Sequence, residues 1–182
     1  YNIPVLRFYS RAEFSGPDMQ VMVSTNYTGS GNPNAATWVA LPANLPASGS
    51  NVWKYIDNVD LSAYKTSGVH IAFKYTSSTT AGAARWTVDD VSIANASQLL
   101  NVTPAIIDFG EQSVGTNGMA KPVNLVVKGF GDCNLSTTTG WQLSADNSTF
   151  TSSIIIPEAT ATAGTTIFAR FSPVDKKLRD SA

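Results

Sequence analysis

Apolar residues in this chain recur at every second position, in many short runs. Met19, Val21 and Val23 share one face of such a run, with Gln20, Met22 and Ser24 on the other. Val69, Ile71, Phe73 and Tyr75 repeat the pattern against His70, Ala72 and Lys74. Val123, Leu125 and Val127 do so again, as do Ile167, Ala169 and Phe171. A period of two is the signature of a strand with one buried face. Segments 3–9, 38–41, 53–58, 86–93, 99–102, 106–109, 141–144 and 153–156 extend the series of short strands. Turn formers separate them, as in Thr28-Gly29-Ser30-Gly31-Asn32-Pro33-Asn34 and Thr116-Asn117-Gly118. No stretch keeps helical spacing over three turns; residues 60–64 predict one short turn capped by Asp60. Strands spaced in this way predict an all-β chain of sandwich type.

Composition agrees and narrows the function classes. Charged residues make up 14% of the 182, and Ser and Thr roughly a fifth, which disfavours helical surfaces. Twelve basic residues stand against 13 acidic ones, so no polybasic surface for nucleic acid or anionic lipid is indicated. A single cysteine and a single histidine exclude an internal disulfide framework and a Cys- or multi-His zinc site. No apolar run is long enough to cross a membrane as a helix.

The apolar phase changes within 86–93: Trp86 and Val88 fall on one face, Val91 and Ile93 on the other, and the switch lies at Asp89-Asp90. A strand that does this needs a bulge or a crossing between sheets. A small polar break follows at 94–98, after which the pattern restarts with Leu99, Leu100 and Val102. A domain boundary is expected there, giving modules 1–96 and 97–182. Tyr1 opens almost directly on a strand pattern and Phe171-Ser172-Pro173 closes one, so the chain reads as an excerpt of a longer protein.

Two resemblances follow from motifs in order. Residues 21–29 (Val-Met-Val-Ser-Thr-Asn-Tyr-Thr-Gly) are followed by Ala36-Thr37-Trp38 and Val59-Asp60-Leu61-Ser62-Ala63-Tyr64. Residues 69–75 and then Trp86-Thr87-Val88-Asp89-Asp90-Val91 end the series. It resembles the choice-of-anchor J and cleaved-adhesin jelly-roll group over about residues 1–95. The second half carries Val102-Thr103-Pro104, Ile107-Asp108-Phe109-Gly110, Val114-Gly115 and Phe171-Ser172-Pro173. It is similar to immunoglobulin-like modules of the ASPM–SPD2–Hydin type. The resemblances imply a partial jelly-roll β-sandwich followed by an immunoglobulin-like β-sandwich. The first would lack N-terminal strands and the second its last strands. They also imply a setting in secreted or cell-surface multidomain proteins of Bacteroidetes-type bacteria, including adhesins.

Three groups of residues are candidates for chemistry. Asp89 and Asp90 could give oxygen ligands to a hard cation, and the jelly-roll resemblance implies a structural calcium near acids of the last strand. Trp38, Trp53 and Tyr55 could offer flat rings to a sugar, with Tyr27 and Trp86 as further aromatics of this half; packing in the core is the competing role. His70 alternates with core residues and is expected at the surface. Cys133, in Gly131-Asp132-Cys133-Asn134, is expected in a loop as a structural thiol. Lys176-Lys177-Leu178-Arg179 reads as a solvated turn. No phosphate loop, Gly-x-Ser-x-Gly or His-Glu-x-x-His motif is present. The function expected is non-catalytic: an accessory module binding a glycan or another surface component. A structural spacer and the accessory tail of a secreted hydrolase are the alternatives.

Overall fold

The computed structural model describes residues 2–175. The chain is all-β, built of antiparallel sheets with very little helix. It divides into two compact units, Tyr1–Ser97 and Gln98–Ala182.

The first unit holds β1 (Ile3–Glu13), β2 (Gln20–Ser24), β3 (Val39–Leu41), β4 (Lys54–Asp60), β5 (His70–Lys74) and β6 (Arg85–Ala96). They form two three-stranded sheets, in the orders β4-β1-β6 and β3-β2-β5. Alternation along β1 decides the layering: Phe8, Ser10 and Ala12 are fully buried, while Tyr9 points outward between them. Leu6, Phe8, Ile56 and Val59 of one sheet share a core with Val21, Val23 and Leu41 of the other. Burying side chains such as Leu6 and Phe8 contributes about 1.5–3 kcal/mol each. The Phe8 and Phe73 rings meet edge to face, with centroids 5.1 Å apart.

Two expectations about this core need correction. Met22 and Ser24, assigned to the outer face of β2, are buried as well, so the central strand is covered on both sides. The buried Ser24 hydroxyl accepts hydrogen bonds from the Tyr27 and Asn26 backbone N–H groups, at 3.1 and 3.3 Å. Val69, Ile71 and Phe73, expected to be fully buried, are half-buried at the margin of the core, because β5 is an edge strand. The short turn over 60–64 does form, as a 3-10 helix at Ser62–Tyr64, and Asp60 accepts from the Ser62 N–H at 2.8 Å.

The strand β1 is flanked by a bulge on each side. Against β6, Tyr9 pairs with Asp89 and Arg7 with Ser92, so β6 spends one extra residue. Asp90 takes φ 51, a left-handed conformation that Asp adopts more readily than most residues. Against β4, Phe8 pairs with Ile56 and Leu6 with Val59, again with one extra residue. The β6 bulge resolves the phase change. Trp86 and Val88 pair with Ala12 and Ser10, and Ile93 with Leu6, so the apolar residues face inward on both sides of the bulge. The strand does not cross between sheets.

The second unit holds β7 (Leu99–Thr103), β8 (Lys121–Lys128), β9 (Cys133–Ser136), β10 (Trp141–Ser144), β11 (Ser153–Ile156), α1 (Glu158–Ala163) and β12 (Thr165–Phe171). A four-stranded sheet, β10-β12-β8-β7, faces the β11-β9 pair and α1. Val123, Leu125, Val127, Leu143 and Ile167 meet Ile156 and Ala161 in its core. Phe109 and Phe171, expected to be buried, are half-buried. The expected strand at 106–109 does not form. Asp108 accepts from the Gly110 N–H at 2.8 Å and Gly110 turns at φ 65, so the chain bends where a strand would continue. Cys133, expected in a loop, is a half-buried residue of β9 paired with Ile156. The run Lys176-Lys177-Leu178-Arg179 lies outside the described residues.

Candidate functional site

The outward face of β4-β1-β6 gathers most of the singled-out residues. Side chains directly opposite each other in antiparallel strands are neighbours. Tyr55 of β4, Tyr9 of β1 and Asp89 of β6 therefore make one row across the sheet. The two tyrosine rings lie 4.7 Å apart at 33°. In the next row Arg11 pairs with Thr87, and its guanidinium sits over the Trp53 ring, 5.2 Å from the centroid. A cation over an indole face is held by the ring quadrupole. Glu13 ends the ladder. It pairs with Arg85 as an ion pair and lies 3.6 Å from Arg11. Tyr9, Trp53 and Tyr55 are 40, 45 and 45% exposed, far more than rings that serve a core. The Arg11 Nε is buried and meets no acceptor among the described residues.

Trp38 does not join this face. It packs on Tyr27, ring centroids 5.6 Å apart, and its indole N–H donates to the Pro33 carbonyl at 2.9 Å. Tyr27 in turn meets His70 edge to face at 5.2 Å. His70, expected at the surface, is half-buried, and its Nδ1 lies 3.0 Å from the Gly68 carbonyl. The three rings pin the loop between β2 and β3, which is a structural task. Trp86 faces inward, opposite the buried Ala12, and donates to the Pro17 carbonyl at 3.2 Å.

Asp89 and Asp90 were the expected calcium ligands, and their geometry does not fit a calcium cage. Both side chains are exposed, so no inward-held carboxylate calls for a compensating cation. Asp89 accepts from the Asp90 N–H at 2.8 Å. Calcium takes six to eight oxygen ligands, and no group of three His, Cys, Asp or Glu gathers among the described residues. The pair instead does two separate things. Asp90 makes the bulge, and Asp89 sets a carboxylate beside Tyr9.

Tyr9 and Arg11 were not singled out in the sequence. Their signal was the alternation of β1 itself, which places polar and aromatic residues at every second position beside Phe8, Ser10 and Ala12. The assembled face combines exposed rings, a guanidinium, a carboxylate and a hydroxyl, the groups of a recognition surface. Comparison of the chain with family models, curated proteins and solved structures finds no match.

Proposed function

We propose that the chain is a non-catalytic accessory module of a secreted or cell-surface protein, and that its first unit binds glycan through the outward face of β4-β1-β6. One observation carries the reading: Tyr9, Trp53 and Tyr55 lie together, about half exposed, on a flat sheet whose other face is a closed core. Rings that are not needed for packing expose apolar faces, and the C–H-rich faces of sugars are suited to them. Arg11, Thr87 and Asp89 stand within the same rows to hydrogen-bond hydroxyls. The jelly-roll and immunoglobulin-like resemblances suit the same setting, a tandem of surface modules.

Glycan-array screening of the chain, followed by calorimetry on the best binder, tests this. Trp53→Ala, Tyr55→Ala and Tyr9→Ala should each weaken binding about tenfold, the equivalent of about 1.4 kcal/mol. Trp38→Phe should leave affinity unchanged. A silent array, or ring variants that bind as well as the parent, would favour the spacer reading instead.

A further inference from the structure

We infer that the second unit carries a separate docking groove for an extended polypeptide segment with alternating apolar and basic side chains. The groove lies on the inward face of β10-β12-β8-β7, at the end that β11-β9 and α1 leave uncovered. Val102, Val123, Ile167, Phe171 and Trp141 line it from the sheet, and Phe109 faces them from the segment before β8. Its volume, about 1570 Å³, exceeds the 300–1,000 Å³ typical of small-molecule pockets. It crosses four strands, which at the usual spacing of about 4.8 Å is the span of roughly four extended residues.

Three features specify the occupant. The floor is apolar and aromatic: Phe109 and Phe171 both pack against Trp141, centroids 4.9 and 4.7 Å away. Such a floor suits aliphatic side chains better than the hydroxyls of a sugar. The Trp141 indole N–H is buried and meets no acceptor among the described residues, so it can receive a backbone carbonyl from an entering chain. The charged side chains among the lining residues include Asp108 and Glu111, and no lining residue is basic. The neighbouring cation, Lys121, donates to the Asp108 carbonyl and lies over Phe109, 5.7 Å from the ring centroid. The carboxylates at the lip thus favour positive charge on the partner. This inference does not depend on the glycan reading, which concerns the other unit.

The test is titration of the whole chain, labelled with nitrogen-15, by capped octapeptides that alternate valine with lysine, glutamate or threonine. The valine–lysine peptide should move the Trp141 indole resonance saturably and leave those of Trp38, Trp53 and Trp86 in place. The valine–glutamate peptide should bind at least tenfold more weakly. In the double variant Asp108→Asn, Glu111→Gln, that gap should close to within about twofold, while Asn at 108 retains an acceptor for the Gly110 N–H. A Trp141 resonance unmoved at millimolar peptide would overturn the inference. So would equal affinity for the lysine and glutamate peptides, or displacement of the same resonance by a soluble oligosaccharide instead.

Discussion

The two units use aromatic rings on opposite sides of a sheet. In the first, two sheets of equal size close on each other, and Phe8, Val23 and Val59 are wholly buried between them. Tyr9, Trp53 and Tyr55 are left for the surface. In the second, a four-stranded sheet is faced by two four-residue strands and a six-residue helix. The layer that should cover the sheet is too small, and Phe109, Trp141 and Phe171 fill part of the shortfall as a half-buried stack. The size of the facing layer therefore decides whether a ring becomes core, filler or surface.

The largest expected effect that tests this contrast is in the cores. Phe8→Ala should cost about 3–5 kcal/mol, the range for a fully buried ring. Phe171→Ala, from a half-buried site, should cost about 1–2 kcal/mol, because less apolar area returns to water. Urea midpoints at unchanged slope measure both. Equal losses would mean that the second core is as closed as the first.

A smaller effect separates two glycines. A Cβ on Gly16 would stand 2.4 Å from the Ala84 backbone nitrogen. Gly16 is also tied to Ser48 through its N–H and its carbonyl, at 3.0 and 2.8 Å. A Cβ on Gly118 would stand 2.8 Å from the Phe171 carbonyl. Gly16→Ala should cost about 1–3 kcal/mol, as overpacking against rigid backbone does. Gly118→Ala should cost less, since its neighbours belong to the irregular segment before β8. Thermal melts of the two variants give the order.

The smallest effect is acid-dependent and confined to the second unit. Asp146 is held well below the ordinary carboxylate range by the Thr149 and Ser148 backbone N–H groups and then by the Ser144 hydroxyl. All three donate to one oxygen at 2.8 Å. A carboxyl with a lowered folded pKa adds stability that is fully present above its unfolded value, about 3.9, and is lost as pH falls toward the folded value. Asp146→Asn should therefore lie below the parent at pH 6, and the difference should shrink as pH falls below about 4. Urea midpoints taken from pH 6 to pH 2 follow it. A difference that stays constant with pH would show that the charge adds nothing beyond the turn's shape.

Alternation placed most strands, because a half-buried strand writes its face into every second residue. It failed where the run was shortest or the turn chemistry strongest. Cys133 and Leu135 of β9 are two inward positions, too few for a period. At Ile107 and Phe109 a strand-like pattern is overruled by the Asp108–Gly110 turn. The outward face was half legible. Trp53 and Tyr55 are visible as a pair two residues apart, whereas Tyr9 and Arg11 join them only through the register of β1 with β4. Register depends on pairing between distant segments, and no local pattern reports it. The Asp89-Asp90 phase change was legible as an irregularity. Its sense was not, since the inserted residue kept the strand on one side where a crossing would have reversed it.

The paired bulges beside Arg7 have a consequence for how this sheet can vary. Both neighbours of β1 gain a residue at the same level, so the sheet is divided by a crease into two panels that count residues separately. One panel carries the ladder from Tyr9 to Glu13, and the other carries Leu6 and Ile93. Substitution on either panel alters one side chain. Loss of a single residue from 57–58 or 90–91 would invert the parity of a whole panel, turning its inward set to water and its outward set to the core. At those two places chain length, rather than residue type, is what the fold holds fixed.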